Sequence, residues 1–251
     1  AFREGNNPKI YQSQNFIGET LIPTEQNVFV SECRFIVCRS NSSGGALQIN
    51  GSVSRLLVEQ SSFLWCRTLG GFGGGIYYDI VSGECVLSRV CAFNCSSVRS
   101  ESESWGQFAF INTGDNITYK NHVNDSSIAH TLYESKDSYN ALILNYGNIL
   151  CTSINITNNE CRYYPALQCF PTKAQPTYTC NILYSSIVNN TAKDGSGCIN
   201  LSNLDSSHFI YTCNILNNNQ TDTSSYATIY TNTDVLIKDS CILGNNEGNR
   251  V

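Results

Sequence analysis

The amino-acid sequence predicts an all-β chain wound as a right-handed parallel β-helix, a solenoid of about eight coils of ~30 residues. Three observations predict it. A four-residue block recurs along the chain, a second block starting on a small residue recurs beside it, and the composition is poor in charge but rich in short polar side chains. The reading is of one domain over 1–251, with 1–25 as an N-terminal cap or irregular first coil and 26–251 as the repeats.

The first block runs from an aromatic or aliphatic residue to a Cys or Asn three positions on. Its members are Phe35–Cys38, Phe63–Cys66, Ala92–Cys95, Asn121–Asn124, Ile156–Asn159, Ile187–Asn190, Ile215–Asn218 and Ile242–Asn245. Their ends lie 28, 29, 29, 35, 31, 28 and 27 residues apart, the fourth being the poorest match. In a parallel stack, like residues of consecutive coils lie above one another. Asn159, Asn190, Asn218 and Asn245 are therefore expected to form a structural amide ladder, each side chain bonding the next coil. Cys closes the first three blocks, which predicts a thiol-lined N-terminal half and an amide-laddered C-terminal half.

The second block comprises Gly44–Ile49, Gly73–Tyr78, Gln107–Asn112, Tyr139–Leu144, Tyr164–Cys169, Ser196–Leu201 and Tyr226–Thr231. Ala46, Gly75, Ala109, Ala141 and Ala166 are expected where the tube is tightest, and Gly44 and Gly73 where the chain turns sharply into the strand. Helical repeats need 3.6-residue apolar periodicity, leucine-rich repeats a Leu ladder, and propeller blades about 40 residues with antiparallel strands. The chain has none of these. Short alternating runs such as Val53–Val58, separated by polar turns, suit coils of three short parallel strands. One coil cannot bury its inward side chains alone, so neighbours stack and share a core.

At these two blocks the chain resembles polymorphic-membrane-protein-like and pectin-lyase-like β-helix surface proteins, of chlamydial and trichomonad type. Gly44-Gly-Ala-Leu47 matches their GGA[ILV] motif, and Gly73-Gly-Gly-Ile76 and Ser196-Gly-Cys-Ile199 match it in part. Phe35-x-x-Cys38 and Phe63-x-x-Cys66 look like the trichomonad variant of FxxN, as does Cys91–Cys95 followed by Gly106–Phe108. The later blocks depart from it, with Ile in place of Phe. The resemblance spans about residues 26–250 and implies a surface-exposed or secreted protein of adhesion or host contact.

Composition narrows the classes. Charged residues are 14% of the chain, against about 25% in an ordinary globular domain. Asn, Ser and Thr fill the difference, as a chain of many turns requires. A net charge of −5 leaves no basic face, so no nucleic-acid partner is expected. No apolar run is long enough to span a membrane. Thirteen Cys without paired CxxC units, and only three His, argue against a structural metal, so no metal and no cofactor is assigned. An oxidising compartment or buried thiols remain. Cys38, Cys66 and Cys95 could pair between coils or stack as thiols; Cys161 and Cys169 bracket a short turn and are the first local disulfide candidates, with Cys33 and Cys91 behind them. Glycosylation sequons fall at Asn41, Asn50, Asn94, Asn116, Asn124, Asn155, Asn189, Asn200 and Asn219, as in a secreted chain.

For function, a polysaccharide lyase or glycoside hydrolase needs carboxylates converging on one groove. Asp79, Asp194, Asp205, Asp222, Asp234 and Asp239 are isolated in turns, although Asp205 and Asp234 could approach across coils. His122, His130 and His208 read as surface or turn residues. Tyr77, Tyr78, Tyr163, Tyr164, Tyr226 and Tyr230 are a candidate glycan platform, with alternation sending one of each adjacent pair outward. The preferred reading is a non-enzymatic extracellular or cell-surface glycoprotein, a rigid rod for adhesion that contacts a protein or glycan ligand. The sequence ends where another strand would begin, so a subunit stacking end to end into a filament through its open β-helix ends is the second reading, and the polysaccharide-degrading enzyme the third.

Overall fold

The structure, a computed structural model, describes residues 8–98, 103–116, 118–131, 138–171, 179–194, 197–202, 207–221 and 228–247. It is a parallel β-solenoid. Two sheets of nine strands and one of seven run the length of the stack, and their strands pair in parallel from Lys9–Gln12 on Asn27–Ser31 to Ser207–Tyr211 on Val235–Lys238. Each turn contributes one strand to each sheet, as Arg55–Glu59, Ser62–Leu64 and Ile76–Asp79 do in turn 2. Seven turns cross all three sheets, and partial turns flank them: Lys9–Gln12 with Asn15–Ile17 (turn 0), and Val235–Lys238 with Cys241–Leu243 (turn 8). The expected eight coils thus become seven complete ones with a partial turn at each end. No helix among the described residues is long and apolar enough to cross a membrane.

Local sequence explains the cross-section. Strand alternation turns Val28 and Val30, Leu56 and Val58, or Cys85 and Leu87 inward, where all are buried. The chain bends from the first sheet to the second at a single residue in the left-handed region, from Ser13 and Glu32 through to Asp239. Another such column follows the second sheet: Gly18, Val37, Trp65, Asn94, His130, Asn158, Asn189, Asn217 and Gly244. Gly and Asn tolerate that conformation; Val and Trp do not readily. Inside, Phe16, Phe35 and Phe63 stack with ring centroids 4.8 and 4.7 Å apart, close to the ~4.8 Å step between parallel strands.

Two expected placements are corrected. The fourth rung of the first column is not Asn121–Asn124 but Ile128–Thr131, because Ile128 is the partner of Ala92 below and Ile156 above. Asn121–Asn124 belongs to Lys120–Asn124 of the first sheet. Turn 3 makes a long excursion between its second and third sheets, and equal spacing cannot register it. The small-residue column is likewise broken at turn 3: Ala109 is the partner of Ile76 and Leu142, one place later than expected. Phe108 takes the small position, and a Cβ on Gly75 would lie only 2.7 Å from its ring. A large ring in one turn is fitted by a glycine in the next.

Candidate functional site

The columns inside the tube are its most ordered chemistry. Asn159, Asn190, Asn218 and Asn245 lie in consecutive turns, and the first three each donate Nδ2 to the next one's Oδ1, at 2.9, 3.0 and 3.0 Å. The same oxygens accept the backbone N–H of the preceding rung, from Thr131 at 2.9 Å to Asn218 at 2.8 Å. Each Nδ2 also reaches a carbonyl of the turn before, as Asn190 does to Ile156 at 2.9 Å. Cys38, Cys66 and Cys95 occupy the same column and hold the same carbonyl position by S–H donation, to Phe16, Phe35 and Phe63 at 3.3, 3.5 and 3.5 Å. A second polar column runs at the first corner, where Ser61, Ser126, Ser185 and Ser240 each accept a backbone N–H from the preceding turn, as Ser61 does from Cys33 at 3.0 Å. Sequence reasoning missed it. Its signal was a Ser in every second coil, alternating with Cys33, Val90, Ile154 and Cys213.

All thirteen cysteines are free thiols, eleven of them buried and Cys91 and Cys241 exposed. The contact with Cys66, together with burial, pushes the Cys38 thiol well up. For Cys66, the contact with Cys38 pulls down, but contact with Cys95 and burial outweigh it. These thiols are protonated and poor nucleophiles. Cys161 and Cys169 sit in different sheets, Glu160–Cys161 and Leu167–Phe170. Burial first, then contact with Cys151 and Cys180, raises the Cys169 thiol. Cys33 faces the core while Cys91 faces solvent.

Among the sequons, Asn41, Asn50, Asn116, Asn155 and Asn189 are exposed, and Asn94, Asn124 and Asn219 half-buried. Asn200 is only 5% exposed, in a strand of the third sheet. At Asn116 the sequon hydroxyl of Thr118 donates to the Asn Oδ1 at 2.9 Å. Of the tyrosines, Tyr78 points into the tube, its hydroxyl on the Ser54 carbonyl at 3.2 Å. Tyr77 stacks on Phe110 at 5.6 Å and donates to Asp79 at 2.9 Å. Tyr163 lies over Tyr139 at 4.7 Å, and Tyr164 near Tyr230 at 6.1 Å. Tyr226 lies outside the described residues. Much of these ring surfaces is spent on neighbouring rings, with Phe72 and Trp105 stacked into the same group at 5.5 Å.

Among the described residues the aspartates are dispersed. Asp194 accepts from Arg162 at 2.8 Å and from Tyr163 at 3.1 Å. Asp205 and Asp222 lie outside the described residues, so the approach of Asp205 to Asp234 is not described. One cleft of about 630 Å³ is lined by Gln26, Ser54, Arg55, Glu84 and Tyr119, with Arg55 holding Glu84 at 3.1 Å. Another of about 490 Å³ brings Glu32 and Glu59 beside Phe29 and Leu57. There Glu32 accepts from Ser13 at 2.8 Å, and Arg89 lies 3.6 Å from Glu59. His130 is exposed beside Phe93, its ring 5.1 Å away. His122 faces outward between Val86 and Leu150, half-buried, with burial lowering it to about 4. His208 departs from its expected surface role: it is 1% exposed inside the tube, because alternation in Ser207–Tyr211 turns it inward with Ile210. Burial lowers it too, to about 4.

The outer face of the second sheet is the strongest candidate site. That face carries two outward columns: one, Asn15, Arg34, Ser62, Cys91, Ser127, Asn155, Ser186, Asn214 and Cys241, is mostly polar, and the other is apolar but for Thr157, running through Ile17, Ile36, Leu64, Phe93, Ala129, Thr157, Val188, Leu216 and Leu243. Beside it stand Val37 and Trp65, 37% and 49% exposed. Reading the blocks as Phe-x-x-Cys had set aside the two middle residues. Their signal was plain: Ile36-Val37 and Leu64-Trp65 are apolar where the outer face of a solvated strand calls for polar side chains. No family model, no curated protein and no solved structure matches this chain. Its fold places it among parallel β-solenoids.

Proposed function

We propose that the protein is a non-enzymatic contact rod, extracellular or on a cell surface, whose outer faces bind a partner in adhesion or cell contact. The observation that carries this reading is the outward apolar column of the second sheet, which repeats at one strand spacing on a stiff, internally laddered frame. Contiguous exposed apolar surface on a folded chain marks an interaction site. The inner ladders supply rigidity, since a preordered surface loses little conformational entropy on binding. The resemblance of the Gly-Gly-Ala-Leu and Phe-x-x-Cys blocks to surface proteins of polymorphic-membrane-protein-like type supports the same setting, as do five exposed sequons.

The test is binding without turnover. Labelled protein is incubated with cells and with a polysaccharide panel, and bound protein and released sugar are measured together. Saturable binding with no new reducing ends or unsaturated sugars is expected. Catalytic release of sugar overturns the reading in favour of a polysaccharide-degrading enzyme.

A further inference from the structure

We infer that the N-terminal half of the second sheet's outer face docks on an anionic lipid surface; this rests on reading the outer faces as contact surfaces and names the partner of one of them. Three stacked stretches build the patch: Arg34–Ser40, Ser62–Thr68 and Cys91–Ser97, which together contain no Asp or Glu. Strand register sets Ile36, Leu64 and Phe93 one above another, and Ile17 extends the column, 67% exposed. Their tips therefore lie on one flat strip rather than in a pocket. Trp65 and Phe93 meet edge to face at 6.1 Å, which leaves the indole presented to solvent.

Two further features point to a membrane surface. Val37 and Trp65 hold φ of 53° and 54° at the corner where most other turns use Asn or Gly. A β-branched and a bulky residue are the least suited to that conformation, yet both project apolar side chains outward there. Arginines flank the strip on both sides. Arg34 lies before it on the same sheet, and Arg39 and Arg67 stand in direct register just past the Val37–Trp65 corner, in a separate short sheet. Glu19 and Glu32 lie at its edges, but three arginines against these two carboxylates leave the strip locally positive, in a chain whose net charge of −5 gave no reason to expect one. Arg stems cover apolar surface while the guanidinium reaches phosphate, and Trp favours the headgroup level. A soluble polyanion would meet the arginines but leave Ile17, Ile36, Val37 and Leu64 in water. A bilayer takes both.

The test is sedimentation of the full chain with phosphatidylserine–phosphatidylcholine vesicles against pure phosphatidylcholine, read together with Trp emission. The chain has two Trp, and Trp65 is the more exposed. Expected are binding to the anionic vesicles alone, a blue shift, and weakening at raised salt. Arg34→Gln and Arg39→Gln should each lower affinity about fivefold. The Val37→Asn/Trp65→Asn variant should fold, since Asn94, Asn158, Asn189 and Asn217 already occupy that corner, yet lose vesicle binding by about tenfold or more. Three outcomes overturn the inference: no binding to either vesicle, binding indifferent to salt and lipid charge, or binding unchanged in the double variant. If that variant loses cell binding while no vesicle binds, the lipid assignment fails, the contact-rod reading stands, and the patch is a protein contact. If vesicles bind but sugar is also released from polysaccharide, the contact-rod reading fails and the lipid site stands.

Discussion

The two halves of the solenoid fill the same inner column with different chemistry. In turns 1 to 3 it holds Cys38, Cys66 and Cys95; in turns 5 to 8 it holds Asn159, Asn190, Asn218 and Asn245. Both sets donate to a carbonyl of the turn before. The amide also accepts, taking a backbone N–H and the neighbouring Nδ2 on one oxygen, whereas the stacked thiols add only their weak contacts with one another. The outer faces differ in parallel. The thiol half carries Arg34, Arg39, Arg67, Val37 and Trp65 outside, whereas the amide half carries Asn155, Asn158, Asn189 and Asn217. One backbone slot thus tolerates either a weak, nearly apolar donor or a fully bonded amide, but the two should respond differently to loss.

The sharpest way to break the comparison is to remove one rung from each half. Asn190→Leu leaves the buried Asn159 N–H without its acceptor, strips Asn159 Nδ2 of one of its two acceptors, and removes the side-chain donors to the Ile156 carbonyl and the Asn218 Oδ1. Each buried orphan costs about 1–3 kcal/mol, so a loss of roughly 3–5 kcal/mol is expected. Cys66→Ala removes a weak donor and a small volume, and about 1 kcal/mol is expected. Denaturant midpoints of the two variants decide it. Equal losses would show that the amide ladder contributes no more than packing.

How much of this was legible depends on what each residue does. The amide ladder could be read because a polar residue recurring at one spacing in an apolar context has few other places to bond. The inward Phe and Cys were legible for the same reason. Register failed at turn 3, where the chain between its second and third sheets lengthens and Phe108 exchanges size with Ala109. Spacing reports the sum of a turn's segments and cannot say which one grew. His208 was unreadable because one polar residue in a strand does not reveal which of two faces it takes. The outer apolar column was in plain view but masked by the motif around it.

A pH series sharpens the comparison from inside the amide half. His208 is held near 4 in the fold against an ordinary value of 6.5, so between those values the unfolded chain binds a proton that the folded chain does not. Stability is full above about 6.5 and falls as pH drops toward 4, by up to about 1.4 kcal/mol for each pH unit. His122 adds a contribution of the same sign. His208→Val places an apolar residue between Cys180 and Val235. It should flatten the acid side of a stability–pH curve while leaving neutral stability within about 1 kcal/mol. An acid limb as steep as that of the parent chain would assign the slope to other groups.

The smallest effect has the opposite sign. Val37 adopts φ of 53°, in the same corner column where Asn158 and Asn189 adopt 54° and 56°. A β-branched side chain in that region crowds the following carbonyl, at a cost of about 1–2 kcal/mol that Asn partly avoids. Because Val37 is 37% exposed, its removal forfeits little burial. Val37→Asn is therefore expected to raise stability by about 0.5–1 kcal/mol, seen as a modest upward shift of the thermal midpoint. Asn158→Val in the amide half should cost a similar amount, since the corner geometry is shared. If the two substitutions do not move the midpoint in opposite directions, the corner strain at Val37 is relieved by contacts, and the thiol half is built to hold an apolar side chain there at no loss. A rise in the first and a fall in the second would instead mean that the N-terminal half gives up stability to keep that side chain on its surface.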